Sequence, residues 1–327
     1  MKLVYKKILQ LVLISLFVGC ASYSYTFADI SADITLSPEN PSPNSSVTLR
    51  LESYTFDANT AIIRWQVNGK TVLQGQGMRS LTIKTGGIGE AVSVTVNAEI
   101  ADGSSIQQTI QVTPSSVVLL YEAQASYVPL MYAGRSLPSN GGLVRVTAIP
   151  EISDGGRSMS PSSLSFVWYL NDSVMRDASG VGKQSATFRL DFLNTHDEIK
   201  VIVRSPRGNS ATKTITIYPH PIMPLLYTYD QILGSDFSPL VSQRFETTKD
   251  FSLKLEPLYV SINEEKDPIY TWFLDGLPTT PLGGRILSLH PNNNSFGTKM
   301  LGITINGPDA RIQKASMKAE IIFDTRK

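Results

Sequence analysis

Three tryptophans fall at positions 65, 168 and 272, spaced by 103 and 104 residues, and each stands in the same local context. The contexts are Ile63-Arg64-Trp65-Gln66-Val67-Asn68-Gly69, Phe166-Val167-Trp168-Tyr169-Leu170-Asn171-Asp172 and Tyr270-Thr271-Trp272-Phe273-Leu274-Asp275-Gly276. A repeat of that length predicts three copies of one structural unit. Side chains alternate along a strand, so Ile63/Trp65/Val67, Phe166/Trp168/Leu170 and Tyr270/Trp272/Leu274 each share a face and are expected to be buried. Each strand then runs into residues that tolerate positive φ, the requirement of a two-residue hairpin turn. Asn171-Asp172, which lacks a glycine, is the weakest of the three turn signals.

Further strands repeat around this motif. Val92, Val94, Val96, Ala98 and Ile100 alternate with polar residues, and Ile199/Val201/Val203 and Leu301/Ile303/Ile305 repeat the pattern. Turn-forming clusters follow at Asp102-Gly103-Ser104, Ser205 to Asn209 and Asn306 to Asp309, then closing strands ending near Val112, Ile217 and Phe323. Upstream, Val47/Leu49/Leu51, Val144/Val146/Ala148 and Phe251/Leu253/Leu255 supply an earlier strand. No stretch carries a 3.6-residue apolar period, so helices are expected to be single turns at most. The composition, 42% hydrophobic and 17% charged, is that of a globular chain.

Short strands at regular spacing, hairpin chemistry and one inward tryptophan per hundred residues predict an all-β chain of two-sheet sandwiches. On these motifs, and on the opening Ile34-Thr35-Leu36-Ser37-Pro38 before Val47-Thr48-Leu49, the chain resembles tandem immunoglobulin-like modules of exported bacterial surface proteins, including PKD-related ones. Antibody domains place a cysteine pair beside the tryptophan; here those places hold apolar residues such as Leu49 or Leu51 and Val94 or Val96. The resemblance therefore implies a fold and carries no functional residues. Proline-bearing joints at Thr113-Pro114-Ser115 and Tyr218-Pro219-His220-Pro221 divide the chain into a leader, 1–28, and modules at 29–114, 115–219 and 220–327. Neither joint is long or glycine-rich, which predicts semi-rigid modules and a rod on the order of 100 Å.

The leader has the layout of an export signal: Lys2, Lys6 and Lys7, a twelve-residue apolar run from Ile8 to Gly19, then small and polar residues. The run is shorter than the roughly 20 residues of a membrane span. Cys20, the one cysteine, follows Leu16-Phe17-Val18-Gly19, which resembles a bacterial lipoprotein cleavage box and makes Cys20 a lipidation candidate. Cleavage after Ala21 or Ala28 is the alternative and gives a freely secreted chain. Removing the leader before Cys20 takes the net charge from +1 to −2. With 29 basic and 28 acidic residues there is no field for nucleic acid, and without a second thiol there is no disulfide framework.

The second and third modules share Val118-Leu119-Leu120-Tyr121 and Pro224-Leu225-Leu226-Tyr227, each followed by an aromatic, proline-containing insertion. Tyr127, Tyr132 and Phe237 in these insertions are candidates either to pack against a neighbouring module and stiffen a joint, or to contact a partner protein or glycan. No catalytic or metal motif is complete in the sequence. His196, His220 and His290 stand alone, Gly180-Val181-Gly182-Lys183 fails the phosphate-loop spacing, and Gly86-Gly87-Ile88-Gly89 precedes a strand rather than a helix. No nucleophile elbow, calcium loop or complete sorting motif is present. The expectation is thus a non-catalytic exported envelope protein with no cofactor or metal, either lipid-anchored or free, that spaces, scaffolds or adheres through contacts with an envelope or surface protein. A glycan-binding module is the alternative, and a hydrolase with a site between modules the remote one.

Overall fold

The computed structural model describes residues 30–130, 132–236, 244–247, 249–262, 267–281, 284–292, 296–308 and 313–324. The leader with Cys20, and Phe237 in the third module, lie outside them. Two compact units are formed. One comprises the chain up to Ser37 with Val47–Ile83 and Val92–Gln111, and the other Pro38–Ser46, Lys84–Ala91 and everything from Val112 onward.

The first unit is built around the Trp65 sandwich. A three-stranded sheet orders Asp33–Ser37, Ser46–Glu52 and Ser80–Lys84; a four-stranded sheet orders Lys70–Gln76, Ile62–Val67, Val92–Glu99 and Ser105–Val112. The alternation seen in the sequence sets the core, because Val47, Leu49 and Leu51 are buried on one sheet and Ile63, Trp65, Val94, Val96 and Ala98 on the other.

The second unit carries two further sandwiches. One pairs Ser185–Arg189, Leu143–Glu151 and Ser116–Gln124 in one sheet, and Ser173–Val174, Ser165–Leu170, Asp197–Arg204 and Ser210–Ile217 in the other, with Gly180–Val181 also on the Ser165–Leu170 strand. The next pairs Gly234–Ser235, Met223–Asp230, Phe251–Leu258 and Ile286–Leu289 against Arg244–Thr247, Lys314–Asp324, Phe296–Asn306, Ile269–Leu274 and Leu277–Thr279. Arg244–Thr247 runs parallel to Lys314–Asp324, a pairing with no counterpart in the sequence repeat. The helical element among the described residues is the single 3-10 turn Pro161–Ser163. The architecture is that of three tandem immunoglobulin-like sandwiches.

The tryptophan register is the same in all three. Trp65 lies opposite Val96, Trp168 opposite Val201 and Trp272 opposite Ile303, and each ring is fully buried. A buried indole N–H needs an acceptor. Each donates to a backbone carbonyl downstream: Trp65 to Met78 (2.8 Å), Trp168 to Lys183 (3.0 Å) and Trp272 to Gly284 (3.0 Å). Val67, Leu170 and Leu274, expected inside, are only half-buried because each stands at the strand's last turn-facing rung.

The turns repeat as well. Asn68-Gly69, Asn171-Asp172 and Asp275-Gly276 all hold two consecutive positive φ angles, so Asp172 (φ 62°) occupies a place that glycine fills in the other two copies. The first residue of each pair also joins the next strand. Its side-chain oxygen accepts the N–H of Ser93 (3.0 Å), Glu198 (2.9 Å) or Met300 (2.8 Å), while its own N–H donates to the carbonyl of that residue. Asn and Asp recur there because only a short side chain with an acceptor closes that ring and tolerates the backbone.

Candidate functional site

A dense polar network in the second unit lies where the insertion at 125–140 meets the sheet containing Met223–Asp230 and Phe251–Leu258. The chain leaves the Ser116–Gln124 strand through Ala125, turned by a positive φ of 50°, and pairs antiparallel with the segment after Leu258. Ser126 bridges Ser261. The N–H of Tyr127 donates to Val260 (2.8 Å), that of Tyr259 to Tyr127 (2.8 Å) and that of Ile262 to Ala125 (2.6 Å). Tyr259 adopts φ 65°, costly for a bulky side chain, and these main-chain bonds on both sides hold it there.

Glu256 is the centre of the side-chain network. Strand alternation puts Lys254 and Glu256 on the outer face of their sheet, opposite Tyr227 and Leu225, yet Glu256 is only 4% exposed because Tyr127 and Arg285 cover it. The Tyr127 hydroxyl donates to its carboxylate, Arg285 donates to the other side of that hydroxyl (2.7 Å) and to Glu256 Oε2 (3.2 Å), and Lys254 Nζ takes Oε1 (2.7 Å). The Arg285 guanidinium also lies 5.1 Å from the Tyr127 ring centre. Tyr127 packs on the core of the third sandwich beneath.

Two neighbouring contacts extend the joint. The hydroxyls of Tyr132 and Tyr259 are 2.6 Å apart with their rings edge to face at 6.3 Å. Buried Gln313 donates its amide to Ser261 Oγ (2.6 Å), Ser139 Oγ (3.2 Å) and the Asn140 carbonyl (3.1 Å), and accepts the N–H of Ser261 (3.3 Å). The structure thus brings Tyr127 and Tyr132 together in a joint between the second and third sandwiches, where both hydroxyls are engaged within the chain. Glu256, Arg285, Tyr259 and Gln313 carry no local signal in the sequence, where Lys254 and Glu256 merely alternate with the apolar Leu253 and Leu255.

Beside the joint opens a cleft of about 620 Å³ between the loop around Pro129, Leu130 and Tyr132 and the outer sheet face at Leu225, Tyr227 and Lys254. Among the described residues no group of three or more His, Cys, Asp or Glu is placed to hold a metal. His290 faces Asp250 (2.8 Å) at the surface, and His196 and His220 lie against Tyr218 and Tyr259. No helix among the described residues is long and apolar enough to cross a membrane.

Burial, reinforced by the adjacent Glu256 carboxylate, pushes the Tyr127 phenol up to about 12, and burial with the Tyr132 hydrogen bond does the same to Tyr259. Burial works against the Arg285 charge, but Tyr127 and Glu256 outweigh it and raise its pKa. An unfolded tyrosine loses its proton near pH 10, before these folded ones do. The stabilisation from keeping them neutral is therefore complete below pH 10 and is lost as the pH rises towards 12. Calorimetric melting between pH 9 and 12 is expected to fall less steeply in Tyr127→Phe than in the native chain.

No protein-family model and no curated protein matches the sequence. Among solved structures, the chain is similar to fibronectin(III)-like modules of Clostridium thermocellum CbhA, with 14% identity, covering 58% of this chain and 94% of that one at a TM-score of 0.31. It is also similar to the central fibronectin-III array of RIM-binding protein, at 13% identity, 90% and 97% coverage and a TM-score of 0.29. A third likeness is to three N-terminal domains of the bacteriophage RB49 outer capsid protein Hoc, at 12% identity, 91% and 99% coverage and a TM-score of 0.26.

Proposed function

We propose that this chain is a non-catalytic, exported envelope protein, divided near residues 114 and 219 into three modules that space and scaffold at a surface and adhere through protein contacts. The observation that carries this reading is the joint. Glu256, Arg285 and Tyr127 are bonded to one another across the second and third sandwiches, and Tyr132 to Tyr259 beside them, which supports a mechanical role. Export rests on the leader, and membrane attachment on a lipid at Cys20; cleavage after Ala21 or Ala28 leaves the same modules free. A glycan-binding role is the second reading, favoured by the tyrosines lining the cleft, Tyr132 and Tyr227.

The test is fractionation of the producing cell with mass analysis of the mature N-terminus. The expected result is an envelope-associated or secreted chain that begins at a lipid-bearing Cys20 or just after Ala21 or Ala28. Mature protein in the cytosol with its first twenty residues intact would overturn the placement.

A further inference from the structure

We infer that the cleft beside the joint is a binding site for an apolar side chain of a partner protein flanked by an acidic residue. This rests on the proposed reading of protein contact and assigns that contact a place and a chemistry. The volume, about 620 Å³, is in the range of sites that enclose a small group rather than a flat surface. One wall is Leu130 and Tyr132 from the insertion, and the other Leu225 and Tyr227 from the sheet. Leu130 is 98% exposed, a large apolar residue that no described residue covers.

Two polar features favour an acidic neighbour. Lys254 and Glu256 are the charged residues lining the cleft, and Glu256 is already matched by Lys254 on one oxygen and by Arg285 and Tyr127 on the other. One carboxylate with two cations leaves the cluster a net positive charge, and Lys254 keeps donor capacity towards the cleft. Ser235 also lines it, with a buried hydroxyl that has no hydrogen-bond partner among the described residues. That oxygen is covered, so an incoming carboxylate or backbone carbonyl satisfies it once the Ser235 side chain turns towards the cleft. A saccharide fits less well, since the Tyr132 hydroxyl is held by Tyr259 and few polar groups remain to meet a ring's hydroxyls.

The experiment is an NMR titration of the mature full chain with the peptide acetyl-Gly-Phe-Asp-Gly-amide, its Asn analogue and cellohexaose. Saturable shifts are expected for the acidic peptide, with at least fivefold weaker binding of the Asn peptide. Lys254→Met should abolish that preference, and Leu130→Glu, a change at an exposed position, should abolish binding of both peptides without a change in melting temperature. Failure of the acidic peptide to bind, equal binding of the two peptides, or binding of cellohexaose alone would each overturn the inference. An envelope-located chain that binds no peptide sinks this inference alone, whereas a cytosolic chain sinks the functional reading alone.

Discussion

Replacing Trp168 by alanine is expected to destabilise the second sandwich by about 4 kcal/mol, within the range for removing a large aromatic from a packed core. The ring is fully buried, lies 5.7 Å from Phe188 at a tilt of 58°, and faces Val201 across the sheet. Its removal opens a cavity and leaves the Lys183 carbonyl without its indole donor. Such a loss is a large share of the roughly 5–15 kcal/mol that holds a typical domain folded. Hydrogen exchange read by mass spectrometry checks it locally: protected amides in Leu143–Glu151 and Asp197–Arg204 should exchange on the order of a thousand times faster, the equivalent of 4 kcal/mol. Trp168→Phe separates the two contributions, because it retains most of the apolar volume and loses only the hydrogen bond, a cost of about 1–3 kcal/mol. A loss below 1 kcal/mol in the alanine variant would show that the ring does not hold the core together.

The tryptophan core is legible in the sequence because its parts lie close together along the chain. A tryptophan, its neighbours at two-residue spacing and the Asn or Asp three residues on lie within one strand and turn, so period-2 alternation and turn chemistry reveal them directly. The sheet partners Val96, Val201 and Ile303 stood out for the same reason. The first strands of the second and third sandwiches, Ser116–Gln124 and Met223–Asp230, were visible only as a repeated Leu-Leu-Tyr, because their outer faces are also apolar or aromatic and the alternation is blurred. The joint was half legible. Tyr127 and Tyr132 stood out as aromatic insertions, and packing against the neighbouring module was one of the two roles open to them. Their partners were hidden: Tyr127 meets Glu256 across 129 residues, and Gln313 meets Ser139 across 174. No local pattern marks a charged residue on a strand's outer face as one that another module will cover.

Glu256→Gln is expected to cost about 2–3 kcal/mol and to loosen the joint while leaving the third sandwich folded. Removing one partner of a buried ion pair typically costs 3–5 kcal/mol. The smaller figure is expected because the Lys254 and Arg285 side chains are 27% and 35% exposed and regain some hydration. The glutamine amide keeps one acceptor oxygen but turns its NH₂ towards a cation or the Tyr127 hydroxyl, so donors face donors. The readout is limited proteolysis and hydrogen exchange across 125–140, which should become accessible, while Leu253, Leu255 and Trp272, whose burial does not depend on Tyr127's hydroxyl, keep their strands protected. A combined variant, Glu256→Leu with Lys254→Met, Arg285→Met and Tyr127→Phe, distinguishes two causes. If the harm in Glu256→Gln comes from stranded cations, the all-apolar joint should be at least as stable as the native one. If the directional bonds of the hydroxyl and guanidinium fix how the insertion sits on the sheet, the apolar joint should melt as high as the native one, yet 125–140 should still exchange quickly. The second result is the expected one, because the main-chain pairing of Ala125 and Tyr127 with Val260 and Ile262 is short and both Ala125 and Tyr259 are held at positive φ. The few main-chain bonds that hold Tyr259 at this φ keep so strained a segment in place only together with the side chains on either side.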